Sequence, residues 1–219
     1  NCFHENGDLN RAFKMISRAI EINSVDPRSY YNLAQICIDQ KDLNSAVKAL
    51  EEALKLNPNH KESRHSLALV FLLQGRPIPA LEEVNAVLRD DPEYSYALIT
   101  KALALFELGR RSESFSVFDH LWNTGIQSLP VLNNLAIHYV FENRLDDAKN
   151  FYRRALEISP DDASIKTDLG TVCLALGEYQ QGWELCESRH LTSREGGMPH
   201  LLPDLPRWKP DDKQGFNGV

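Results

Sequence analysis

Stepping 34 residues at a time from Ala12 lands on Ala46, Ala80, Ser114, Ala148 and Gly182, every one of them small. Starting instead from Ala34 gives Ala68, Ala102, Ala136 and Gly170, again all small. A third register, Ala19, Ala53, Val87, Leu121, Ala155 and Arg189, is small at first and then less strict. A fourth runs Gly7, Lys41, Gly75, Gly109, Asn143 and Gly177, mostly residues that tolerate a left-handed turn. A fifth gives Pro58, Pro92 and Pro160, with Ser24 and Ile126 as exceptions. Registers that stay in phase along a whole chain mean one supersecondary unit used repeatedly, each copy burying its apolar face against the next.

The spacing predicts two short amphipathic helices per unit. The Gly-type register ends the first helix, the Pro-type register breaks the chain before the next unit, and the small residues let the two helices approach closely. Larger residues between them supply the core: Cys37, Phe71, Leu105, Tyr139 and Cys173 on first helices, and Ile16, Leu50, Val84, Phe118, Tyr152 and Cys186 on second helices. The stretches YYNLAQICIDQKDLNSAVKALEEALKLNP (30–58) and LNNLAIHYVFENRLDDAKNFYRRALEISP (132–160) closely resemble the tetratricopeptide repeat (TPR) family. The resemblance implies an all-α fold: a right-handed superhelical solenoid of antiparallel helix pairs. It covers residues 1 to about 190 and divides them into a cut first copy, 1–26, and repeats at 27–60, 61–94, 95–128, 129–162 and 163–190. Phe3 stands 34 before Cys37, so the chain is expected to start in mid-helix. Pro77 and Pro79 fall at the start of a second helix, where Pro is tolerated. In 95–128, Lys101 replaces an expected Leu and Thr124-Gly125 ends the unit without Pro, so this copy is expected to pack least regularly.

Composition narrows the function classes. A net charge of −7 argues against non-specific binding to nucleic acid or to an anionic membrane surface. No apolar run approaches the ~18–20 residues of a membrane span. Cys2, Cys37, Cys173 and Cys186 form no Cys-x-x-Cys pair; they read as small core residues rather than metal or redox ligands. Nucleophile-elbow, zincin, P-loop and dinucleotide motifs are missing from the sequence. His60 and His65 are the nearest histidines, but a spacing of five does not stack two ligands on one helical face, and His138 falls near core positions. Carboxylate pairs such as Glu51-Glu52 and Asp146-Asp147 read as solvated surface. No catalytic residue, metal or cofactor is expected, and a cytoplasmic location is consistent with the absence of Asn-x-Ser/Thr sequons.

In such arrays the first helices line the concave binding side. One register there, Asn32, Ser66, Thr100, Asn134 and Asp168, offers a hydrogen-bonding group once per repeat. It resembles the asparagine ladder of O-linked N-acetylglucosamine transferase, which implies contacts to the backbone of an extended peptide; a plainly solvent-facing or turn-capping role is the alternative. Neighbouring registers are apolar (Leu69, Leu72, Leu73, Leu103, Phe106, Ile137, Val140 and Phe141), which marks either a contact surface or self-burial. The chaperone-tail type of TPR domain clamps a carboxylate with Lys, Arg and Asn, whereas Tyr31, His65, Gln35 and Leu69 stand at the matching positions. The expected partner is therefore a protein or peptide of another kind.

After Arg189 the helical period stops, and residues 191–219, rich in Pro and Gly, read as a linker or extended tail. Gly182, Trp183, Glu187 and Arg189 with Pro206, Arg207 and Trp208 resemble bacterial TPR proteins whose array leads into a glycosyltransferase-like domain. That implies a junction and a possible intramolecular C-terminal domain; an ordinary terminal cap covered by Trp183 and Trp208 is the alternative. A third reading is an assembly scaffold joined through its ends.

Overall fold

The computed structural model describes residues 9–187, with side chains from Arg11. Among these residues all regular structure is α-helical. The chain forms two compact units, 1–126 and 127–219. Unit 1 holds α1 (Leu9–Ile22), α2 (Pro27–Asp39), α3 (Leu43–Leu56), α4 (Lys61–Leu73), α5 (Pro77–Asp90), α6 (Ser95–Glu107) and α7 (Arg111–Asn123). Unit 2 holds α8 (Leu129–Phe141), α9 (Leu145–Ile158), α10 (Ala163–Ala175) and α11 (Tyr179–Cys186). Within each unit every helix packs on the next in sequence, and in unit 1 the first helices α4 and α6 also touch.

The helix starts follow from capping chemistry. Asp26, Asp42 and Asp162 each accept backbone N–H groups of the following turn, at 3.1 Å from Arg28, 3.1 Å from Ser45 and 3.0 Å from Ser164. Pro27 and Pro77 occupy first positions, where a missing N–H costs nothing. First helices end in a repeated left-handed cap. Lys41, Gly75, Gly109, Asn143 and Gly177 all have positive φ. The next residue's N–H returns to the last helical turn, as in Asp42 N to Cys37 O (2.9 Å) and Arg144 N to Tyr139 O (2.8 Å). Second helices exit differently: Asn57, Asp91 and Ser159 are extended, as the following proline demands. The 95–128 stretch departs only here. Its two helices pack side by side like the others, but Thr124 stays near-helical, Gly125 turns at φ +88°, and Ile126 N reaches Leu121 O at 2.9 Å.

The small registers sit where helices cross. Ala34, Ala46, Ala68, Ala80, Ala102, Ala136 and Ala148 are fully buried, as is Ser114 almost completely. The Ser114 hydroxyl donates to Ala102 O at 2.7 Å, a distance that only small groups permit. The last pair is tighter. A Cβ on Gly170 would lie 2.7 Å from Cys186 Sγ and 2.9 Å from Gly182 O, and one on Gly182 would lie 2.7 Å from the Leu174 side chain. Leu50, Val84, Phe118, Tyr152 and the thiols of Cys37, Cys173 and Cys186 fill the core, whereas Ile16 and Tyr139 are only half-buried. Burial pushes the Cys37 and Cys173 thiols up, which keeps them protonated and inert.

Candidate functional site

In unit 1 the first helices α2, α4 and α6 are tied by side chains that reach from one to the next. Gln35 Nε2 donates to Ser66 Oγ at 3.2 Å, joining α2 to α4. Thr100 Oγ1 donates to Tyr96 O at 3.0 Å, so its oxygen accepts from His65 Nε2–H, also at 3.0 Å, joining α4 to α6. Ser66 and Thr100 are only 6% and 2% exposed. Their hydroxyls are therefore spent inside the protein, while Asn32 on α2 stays exposed. The five-residue register does not present five equivalent groups.

Aromatic residues gather around these links. The ring of Tyr31 meets His60 edge-on at 5.6 Å, and His65 packs against Tyr94 (5.9 Å) and Tyr96 (6.1 Å). His60 is the N-cap of α4: its Nδ1 accepts from Ser63 N at 3.2 Å and from the Ser63 hydroxyl at 2.7 Å, which places its proton on Nε2, 3.7 Å from Glu62. Burial holds His65 below the ordinary histidine range, so it stays neutral, with the proton on Nε2. Lys61 lies 4.4 Å over the Tyr94 ring and 2.9 Å from Asp91, whose carboxylate holds the ammonium group's pKa up. The spacing of His60 and His65 argues only against a metal pair, and no motif marks Tyr94 or Tyr96. The signal was available in the N-cap register Asp26, His60, Tyr94, Ser128 and Asp162, where an imidazole and a phenol replace carboxylates.

The apolar registers of unit 1 are graded. Leu69, Leu72, Leu103 and Phe106 are half-buried, Leu73 is 56% exposed, and Tyr96 is 62% exposed. Positions 65, 66, 69, 72 and 73 of α4 and 96, 99, 100, 103 and 106 of α6 carry no carboxylate, lysine or arginine. In unit 2, Ile137 is half-buried, and Val140 and Phe141 are exposed on α8. Asn134 is half-buried, its Nδ2 donating back along its own helix to Pro130 O at 2.8 Å. Asp168 on α10 is half-buried, and burial followed by the nearby Asp162 charge raises its carboxyl. Thr167 and Thr171 likewise bond carbonyls one turn back. At the end of unit 2, Trp183 is 51% exposed and Glu187 is exposed at the C-cap of α11, its N–H reaching Trp183 O at 3.1 Å. Arg189, Trp208, Pro206, Arg207 and the rest of the 191–219 tail lie outside the described residues, as do Cys2, Phe3 and Gly7. Among the described residues no helix is long and apolar enough to cross a membrane, and no group of three or more His, Cys, Asp or Glu is placed to hold a metal ion.

Stacked helix pairs with close-packed small residues and a side-chain-linked first-helix face define a helical-repeat protein. The family comparisons specify which kind. A tetratricopeptide repeat model matches residues 27–60, and a model described as the N-terminal TPR repeats region of psidin matches residues 71–184, more than half of the chain. The chain belongs to the tetratricopeptide repeat family. Among curated proteins none shows significant similarity to it. Among solved structures it is similar to PilW, a widely conserved type IV pilus biogenesis factor, with a TM-score of 0.76 and 18% identity over 89% of this chain and 90% of that one. It is similar also to the APC/C hetero-tetramer Cut9–Hcn1, with a TM-score of 0.79 and 14% identity over 87% of this chain and 38% of that one. The TPR protein YrrB, whose structure shows an unusual peptide-binding site, gives a TM-score of 0.58 and 17% identity over 81% and 91% of the two chains. At these identities the likeness is one of fold.

Proposed function

We propose that this chain is a non-catalytic protein-binding module that holds an extended peptide or a helix on its first-helix face. The observation that carries the reading is the apolar strip of α4 and α6, where exposed Leu73 and Tyr96 border half-buried Leu69, Leu72, Leu103 and Phe106. An apolar surface of this kind on a stacked-helix scaffold supports a contact role. In unit 2, Ile137, Val140 and Phe141 offer the corresponding surface. Asn32 and Asn134 are the ladder members with amides to offer a peptide backbone; Asn134 spends one Nδ2–H on Pro130 O and keeps its second N–H and Oδ1. Ser66 and Thr100 act as supports beneath the face, and Asp168 as a half-buried polar contact. The peptide-binding site of YrrB supports the reading by analogy of fold. Selection of short peptides from a display library with the full chain tests it. Selected peptides are expected to bind wild type and to lose about tenfold or more in affinity to Leu73→Asp, with Asn32→Ala/Asn134→Ala showing a smaller loss. Binders indifferent to Leu73→Asp would remove the face from the account.

A second reading rests on α11. Tyr179 and Trp183 occupy the registers of Leu43/Val47 and Pro77/Leu81, and Val47 and Leu81 pack onto the core, yet Tyr179 and Trp183 are exposed. A junction to a glycosyltransferase-like domain, for which this array serves as substrate-recognition arm, would cover them. Reading the gene past Val219 tests this, and a stop codon or an unrelated domain there would end it.

A further inference from the structure

We infer that the first-helix face of unit 1 is built for a basic amphipathic segment, one in which Lys or Arg flanks large apolar side chains. The inference rests on the proposed first-helix binding role and names the chemistry of the partner. Each exposed apolar group on this face shares its 34-residue register with an acid on the adjoining first helix. Tyr96 of α6 is in register with Glu62 of α4, and Leu73 of α4 is in register with Glu107 of α6 and with Asp39 of α2. Glu62, Glu107 and Asp39 are all exposed. The links Gln35–Ser66 and His65–Thr100 hold these three helices side by side, so each acid is carried next to the apolar group of its neighbour.

Two cations of this edge are engaged by groups other than Glu62 and Glu107. Lys61 is committed to Asp91 (2.9 Å) and to the Tyr94 ring. Arg64 is committed to Glu83 (2.8 Å) and to Pro58 O (2.7 Å). Glu62 has the His60 ring at 3.7 Å, with the ring's Nδ1 engaged in the α4 cap. Arg28 is the one cation in the two registers within unit 1. An apolar strip edged by carboxylates attracts a segment whose apolar side chains alternate with positive charge and repels an acidic one, which also rejects a carboxylate-terminated tail as partner.

Three synthetic peptides with one shared pattern of Leu and Phe test the inference, the intervening residues being all Lys, all Gln or all Glu. Binding to the full chain is measured by fluorescence anisotropy at low and at physiological salt. The Lys peptide is expected to bind about tenfold more tightly than the Glu peptide, with the Gln peptide between them and the preference shrinking as salt rises. Glu62→Gln/Glu107→Gln is expected to reduce that preference to about twofold while leaving the Gln peptide unchanged. Glu51→Gln/Glu82→Gln removes the same charge from exposed positions of second helices and is expected to leave the preference intact. Equal loss in both double variants would show that net charge, not this face, sets the preference, and would overturn the inference. Three peptides that bind alike, all weakened by Leu73→Asp, would overturn it while leaving the binding role of the face standing. Three peptides indifferent to Leu73→Asp would overturn both.

Discussion

The two units use the same repeat to build different first-helix faces. In unit 1 two members of the polar register, Ser66 and Thr100, are buried and join helices: Gln35 reaches Ser66, and His65 reaches Thr100. In unit 2 the same register, Asn134 and Asp168, is only half-buried, and Asn134 bonds a carbonyl of its own helix, as does Thr167 beside Asp168. Unit 2 instead closes its last pair backbone to backbone, through Gly170 and Gly182. Position in the repeat thus fixes where a side chain emerges, whereas the neighbouring helix decides whether it becomes a strut or stays open to solvent.

The largest expected effects break the packing that each unit relies on. Phe118→Ala in unit 1 is expected to cost about 3–5 kcal/mol, and chemical denaturation should show the loss in transitions that report unit 1. Gly170→Ala in unit 2 is expected to cost about 1–3 kcal/mol, because the new Cβ must displace both Cys186 Sγ and the Gly182 carbonyl. Ala68→Gly at the same register in unit 1 is expected to cost only about 1 kcal/mol, through helix propensity. Calorimetry on the pair of variants separates the two modes of closure; equal effects would erase the distinction.

Thr100→Val is next. It removes the hydroxyl that links His65 to α6, an expected loss of about 1–2 kcal/mol. Asn134→Ala deletes only a bond within its own helix and is expected to cost less than about 1 kcal/mol.

Acidity separates the units further. Burial depresses His65, so its folded form binds fewer protons than the unfolded chain. Its contribution is complete above the unfolded histidine pKa of about 6.5 and is lost as pH falls through the lower folded value. In unit 2, burial depresses His138 as well, but Glu142 pulls the other way. Asp168 carries the opposite sign: its carboxyl is raised by burial and by Asp162, so the folded form favours the proton, and that advantage is lost as pH rises through its folded value. His65→Gln is therefore expected to flatten the fall in stability of unit 1 below about pH 6.5. Asp168→Asn is expected to stabilise unit 2 at neutral pH by about 0.5 kcal/mol. Urea titrations at several pH values check both.

Small gains of similar size lie at the left-handed caps. Lys41 in unit 1 and Asn143 in unit 2 adopt φ +61° and +55°. Lys41→Gly is expected to gain about 0.5–1 kcal/mol, and Asn143→Gly less, since Asn tolerates this conformation better. Thermal melts that ranked the two in reverse would contradict the conformational argument.

The sequence by itself determined the repeat, the helix pairs, their caps and their close crossings. Each follows from a property of one residue type at one spacing: a missing Cβ, a proline ring, a carboxylate before a helix. It also placed Cys37, Cys173 and Cys186 correctly in the core. The tertiary structure alone decided which polar residues of the face stay open. Ser66 and Thr100 are as polar as Asn32, yet they are buried because Gln35 and His65 arrive from other repeats, 31 and 35 residues away. That arrival depends on how far apart two first helices settle, and the packing of the large side chains around them sets that distance, not the register.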